Sequence, residues 1–100
     1  MIRHVVMWRF ADEGEGRTKQ QNMQYIRDRL MALKPVIPQI KRMEIGFDVS
    51  HTDMSYDMML LTEFDSLDDL HTYKVHPEHV KVSQYVGKVS TARVVADVEI

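Results

Sequence analysis

Ile40-Lys41-Arg42-Met43-Glu44-Ile45-Gly46-Phe47-Asp48-Val49 and Tyr56-Asp57-Met58-Met59-Leu60-Leu61-Thr62-Glu63-Phe64 read as two strands joined by the polar segment Ser50 to Ser55. In the first run Met43, Ile45, Phe47 and Val49 alternate with Arg42, Glu44, Gly46 and Asp48, the period of a half-buried strand. In the second, Tyr56, Met58, Leu60, Thr62 and Phe64 stand opposite Asp57, Met59, Leu61 and Glu63. The short polar connection makes the pair a hairpin. What lies on either side of this hairpin sets the architecture.

Upstream, the pattern turns helical from about Arg17 to Lys34. Met23, Ile26, Leu30 and Leu33 recur at three- or four-residue spacing, with Tyr25 and Met31 beside them. Pro35 closes the helix, because the residue before a proline leaves the α region. Before the helix come a turn, Asp12 to Gly16, and a strand, Ile2 to Phe10. That strand places Ile2, His4, Val6, Trp8 and Phe10 on one face and Arg3, Val5, Met7 and Arg9 on the other.

Downstream, Ser66-Leu67-Asp68-Asp69 has the look of a helix start, with an acidic residue three places after the serine. Leu67, Leu70 and Tyr73 give the inward stripe of a short helix. A second helical piece is expected from Pro77 to about Val86, ended by Gly87. Ala92 to Ile100 forms the last strand, with Ala92, Val94, Ala96, Val98 and Ile100 against Arg93, Val95, Asp97 and Glu99. The order is β-α-β-β-α-β, the split βαβ or ferredoxin-like α+β plan: a four-stranded antiparallel sheet with helices on one face.

One face of each strand is nearly all apolar, and these faces are expected to meet the helices. On the last strand this assigns the Ala92 to Ile100 row to the core and leaves Val95 with its charged neighbours on the open side. The open face then mixes Val5, Met7, Met59, Leu61 and Val95 with arginines and carboxylates. A solvated face does not need the apolar positions, and a core face does not tolerate so many unpaired charges. A homodimer packed sheet to sheet satisfies both conditions.

Composition excludes several functions. One hundred residues make a single domain, residues 1–100, that buries roughly 60–70% of its unfolded surface. The 13 basic and 15 acidic residues are interspersed and leave a net charge of −2, so no basic patch points to nucleic acid. The absence of cysteine excludes disulfides, thiolate metal sites and a thiol nucleophile. No apolar run approaches the ~18 residues of a membrane span. A soluble, cytoplasmic protein is expected.

Chemistry concentrates in Tyr73-Lys74-Val75-His76-Pro77-Glu78-His79-Val80. Proline sends the residue before it into extended backbone, so one helix ends near Val75 or His76 and Pro77 opens the next. His79 falls in the first turn of that helix, where the positive helix end disfavours imidazolium. A neutral imidazole beside a tyrosine hydroxyl forms an acid/base pair near neutral pH. Packing and capping are the structural alternatives for the same residues. His4 shares an apolar face with Val6, Trp8, Met58 and Leu60, which would wall any cavity beside the pair. Neither a metal nor a cofactor is expected: Pro77 separates His76 from His79, there is no HExxH, and no glycine pattern cradles phosphate.

Ile2-Arg3-His4-Val5-Val6-Met7-Trp8, Tyr56, Phe64-Asp65-Ser66 and the Tyr73 to Val80 segment together resemble the stress-responsive dimeric α/β-barrel (Dabb) proteins along essentially the whole chain. The resemblance implies a homodimer whose sheets form a barrel, with a small-molecule cavity in each subunit between sheet and helices. One plant branch of that family, similar to olivetolic acid cyclase, closes a linear polyketide by aldol condensation without a cofactor. By that resemblance Tyr73 and His79 are the acid/base pair and His4 lines the cavity; Met58 stands where the cyclase carries a further histidine. Two functions follow as expectations: acid/base catalysis on a carbonyl compound, or non-catalytic, stress-related binding of an apolar small molecule. A heme-degrading or quinol-forming monooxygenase of related architecture fits the Tyr73 to His79 segment less well.

Overall fold

The computed structural model describes residues 1–100. The four long strands are β1 (Ile2–Phe10), β4 (Arg42–Phe47), β5 (Met58–Phe64) and β6 (Ser90–Glu99), in the sheet order β4-β5-β1-β6. Every neighbouring pair is antiparallel. Helices α1 (Lys19–Met31), α2 (Leu67–Val75) and α3 (Pro77–Val89) pack on one face. The fold is the ferredoxin-like α+β plan with a four-stranded antiparallel sheet.

Local chemistry accounts for the helix ends. Thr18 caps α1 through a reciprocal box, its hydroxyl accepting from the Gln21 N–H while the Gln21 side chain accepts from the Thr18 N–H. Ser66 caps α2 by accepting from the Asp69 N–H. Between Gly14 and Arg17 the turn is tighter than a loop. Glu15 and Gly16 both take positive φ, and β2 (Glu13–Gly14) pairs with β3 (Arg17–Thr18) as a small ribbon.

The core joins Val6, Trp8 and Phe10 of β1 and Met58, Leu60 and Phe64 of β5 to the inward stripes of the helices. Met23, Ile26, Leu30 and Leu33 are all buried, although α1 ends at Met31 and Leu33 sits in the turn beyond it. Two expectations are corrected. Gly87 does not end α3, which continues to Val89; its backbone is helical, and Val86, Val89 and their neighbours still have a core to cover.

The second correction concerns the faces of β6. Its pairing with β1 sets Val6 opposite Val95, His4 opposite Asp97 and Trp8 opposite Arg93. Directly paired residues share a face. Arg93, Val95 and Asp97 therefore lie on the helix side, and Val94, Ala96 and Val98 lie on the open side with Val5 and Met7. Strand alternation separates two sets of residues but does not say which set faces inward. On this edge strand the register imposed by β1 decides.

That reversal makes the open face more apolar than the sequence implied. Met7, Val94 and Val98 are 38%, 39% and 42% exposed there. Arg3, Arg42, Glu44 and Glu63 among them are already paired within the chain. Glu63, which is buried, receives Arg3 at 2.7 Å and Arg42 at 3.5 Å, and Arg42 also reaches Glu44 at 2.7 Å.

Candidate functional site

The break at Pro77 builds the site. In an uninterrupted helix the Lys74 carbonyl would accept from the Glu78 N–H, four residues on. Here His76 is extended, closing α2 and opening α3, and its Nδ1 takes the Glu78 N–H at 3.1 Å. The Lys74 carbonyl is left free at the end of α2. His79 Nδ1 lies 3.0 Å from it. A carbonyl only accepts, so Nδ1 carries the proton, and in the neutral ring Nε2 holds the lone pair. One proline thus fixes both the position and the tautomer of His79.

His79 stacks at a tilt on Tyr73, with 4.3 Å between ring centroids. Tyr73 is 0% exposed, and its hydroxyl has no partner in the chain. On its other side lie Phe64 at 5.2 Å and His4 at 6.3 Å. His4 is buried on β1 and donates Nδ1–H to Asp97 on β6, which also draws Lys74 to 3.8 Å. Two histidines oriented through Nδ1 therefore flank one phenol.

These groups border a cavity of about 150 Å³ between the sheet and α3. His4, Val6, Trp8, Leu60, Tyr73 and His79 all line it. Met58, the remaining expected wall residue, does not: it is buried nearer the β4–β5 end and borders a separate hollow with Met7, Met54 and Met59. Its place on the sheet explains the miss, since it pairs with Trp8 and Phe47 at the far end of β1 from His4.

The cavity also gathers residues that sequence reasoning did not select. Ser83 and Gly87 follow His79 at four-residue intervals along α3, a helical stripe of small residues that the pattern contained. Arg93 enters from β6 because of the reversed face. Asp97, which orients His4, was missed for the same reason.

Burial favours the uncharged forms of the two histidines and the tyrosine. Burial is the main influence on His79 and lowers its pKa, partly opposed by the Lys74 carbonyl; the charges of His4, Arg93 and His76 lower it further. His4 is also lowered by burial, which outweighs the opposing pull of Asp97. Burial raises the pKa of Tyr73, so its phenol remains a hydrogen-bond donor. Trp8 Nε1–H is a second buried donor without a partner. The arrangement offers two uncharged bases and two unpaired donors around one small volume. No cluster of three or more His, Asp or Glu side chains is placed to hold a metal ion.

Fold and site together define a ferredoxin-like α+β protein with a partly open cavity carrying acid/base side chains. The family model for the stress responsive A/B barrel domain (Dabb) matches residues 2–100, and the chain belongs to that family. A dimeric protein of unknown function and ferredoxin-like fold from Bacteroides fragilis NCTC 9343 is 27% identical. It superposes with a TM-score of 0.88, over 99% of this chain and 95% of that one. A dimeric ferredoxin-like protein of unknown function from Thermobifida fusca YX is 22% identical, with a TM-score of 0.85 over 99% and 90% of the two chains. The hydroxynitrile lyase of Passiflora edulis has a TM-score of 0.84 at 17% identity, over 99% and 92%. A comparison with curated proteins finds no match. No helix is long and apolar enough to cross a membrane.

Proposed function

We propose that this chain is a cofactor-independent acid/base catalyst acting on a small carbonyl compound held in the cavity beside His79. The observation that carries the reading is the buried, unpartnered Tyr73 hydroxyl stacked on a histidine whose tautomer is fixed. Leaving such a hydroxyl unsatisfied costs about 1–3 kcal/mol. A ligand oxygen that accepts from it recovers that cost, which is why the arrangement favours a ligand over simple packing.

In the proposed step His79 Nε2 removes a proton from the carbon alpha to the carbonyl. The electron pair moves into the carbonyl and forms an enolate, whose oxygen accepts from the Tyr73 hydroxyl. The enolate can then attack a second carbonyl of the same molecule, the resulting alkoxide taking the proton back from His79 to complete an aldol closure, or be reprotonated at carbon by His79. His4, held by Asp97, adds a second base for a hydroxyl of the ligand. Val6, Trp8 and Leu60 exclude water and favour an apolar chain.

The protein would work as a cytoplasmic homodimer joined through the open sheet face, with one cavity per subunit. The dimeric relatives support this, as does the apolar row of Val94, Ala96 and Val98 on that face. The shared fold of the hydroxynitrile lyase supports the architecture alone; the chemistry rests on the residues.

The test compares His79→Ala and Tyr73→Phe with the unaltered protein for turnover and for binding across a panel of carbonyl compounds. Loss of turnover by variants that stay folded is expected. A protein that binds panel members but turns none over is a binding protein, and the catalytic reading then fails.

A further inference from the structure

The acid/base reading leaves one charge without a role. Arg93 borders the cavity, and no carboxylate of the chain pairs with it. The acidic residue nearest along its face, Asp97, is already held by His4 and approached by Lys74 at 3.8 Å. Arg93 stands directly across from Trp8 in the β1–β6 ladder, so its side chain starts beside the indole whose Nε1–H is buried and unpartnered. The guanidinium is near enough to His4, Tyr73 and His79 for its charge to oppose protonation of each.

We propose that Arg93 sets the specificity of the cavity for a carbonyl compound that also bears a carboxylate. This inference rests on the proposed carbonyl chemistry and names the substrate class. The hydrogen-bond inventory supports an anion: Trp8, Tyr73 and Arg93 are all donors, and two of the three are buried with nothing in the chain to accept from them. One unpaired cation matches a single negative charge. A guanidinium presents two parallel N–H groups to the two oxygens of a carboxylate, and such charge-assisted bonds are the strong ones. In this arrangement Arg93 and Trp8 hold the acid end, and Tyr73 with His79 meets the ketone end. Arg93 is a specificity residue; it takes no part in proton transfer.

The experiment uses matched probes: 2-, 4- and 5-oxohexanoate and their methyl esters, titrated into the full chain and followed by NMR. The unaltered protein should bind at least one acid about tenfold more tightly than its ester, the scale of a charged hydrogen bond. Arg93→Met should bring the acid-to-ester ratio close to one, weakening the acid far more than the ester, and Arg93→Lys should restore part of the preference. Thermal melts of both variants should overlay the parent, because Arg93 is an exposed residue at the sheet edge. Equal binding of acid and ester by the parent, or a preference that survives Arg93→Met, overturns the inference and leaves the carbonyl reading standing. Failure of every probe, acid and ester alike, overturns both.

Discussion

Tyr73 and His79 make opposite demands on stability and function, and that opposition is measurable. Tyr73→Phe removes a buried hydroxyl that nothing in the chain satisfies. The variant should be as stable as the parent or more so, by up to about 1 kcal/mol in urea unfolding, while ligand binding and turnover fall. A large loss of stability would mean that the hydroxyl has a structural partner. For buried His4 and half-buried His79 the pH dependence has a definite sign. Their folded pKa values lie below the ordinary histidine value of 6.5. The unfolded chain therefore binds protons more readily, and the stability they contribute is complete above about pH 6.5 and drains away as pH falls toward the folded values. Unfolding measured from pH 7.5 to 5 should show this decline, and His79→Gln should flatten it. His79 and Tyr73 could be selected from sequence because a proline places them; the chain could not reveal that Lys74 supplies the carbonyl that sets the tautomer. The helix end alone predicts a neutral His79, but burial is the larger cause.

Helix α3 continues through Gly87, and this has a consequence for the element. A Cβ at Gly87 would meet nothing within 4 Å. Gly87→Ala should therefore raise stability by roughly 0.5–1 kcal/mol through helix propensity alone, read as a higher melting temperature. Gly14 behaves differently, because a Cβ there would come within 2.9 Å of Val89 Cγ1. Gly14→Ala should cost about 1–3 kcal/mol, since buried, β-branched Val89 has little room to move. The contrast separates a glycine kept by crowding from one that the fold tolerates. At this level β1, the hairpin and the Pro77 junction were legible, because each has a strong local signal. The β2–β3 ribbon was not, since one of its two positive-φ positions is a glutamate. Nor was the facing of β6: both of its residue sets contain valine, and only pairing with β1 resolves them.

Over the whole molecule, the corrected β6 leaves a sheet face in which Val94, Ala96 and Val98 join Val5, Met7 and Leu61 around the Arg3–Glu63–Arg42 group. Light scattering should return twice the 11.8 kDa chain mass at micromolar concentration, and Val94→Glu should shift it toward the single mass. The proposed chemistry requires His79 to take a proton from a carbon beside a carbonyl. The direct measurement is deuterium incorporation at the alpha carbon of a bound ketone in D2O, followed by NMR. The parent should accelerate exchange well above the buffer rate, with His79→Ala returning it to background and Tyr73→Phe slowing it strongly. Exchange at the buffer rate with bound ketone, or exchange indifferent to His79→Ala, would contradict the account.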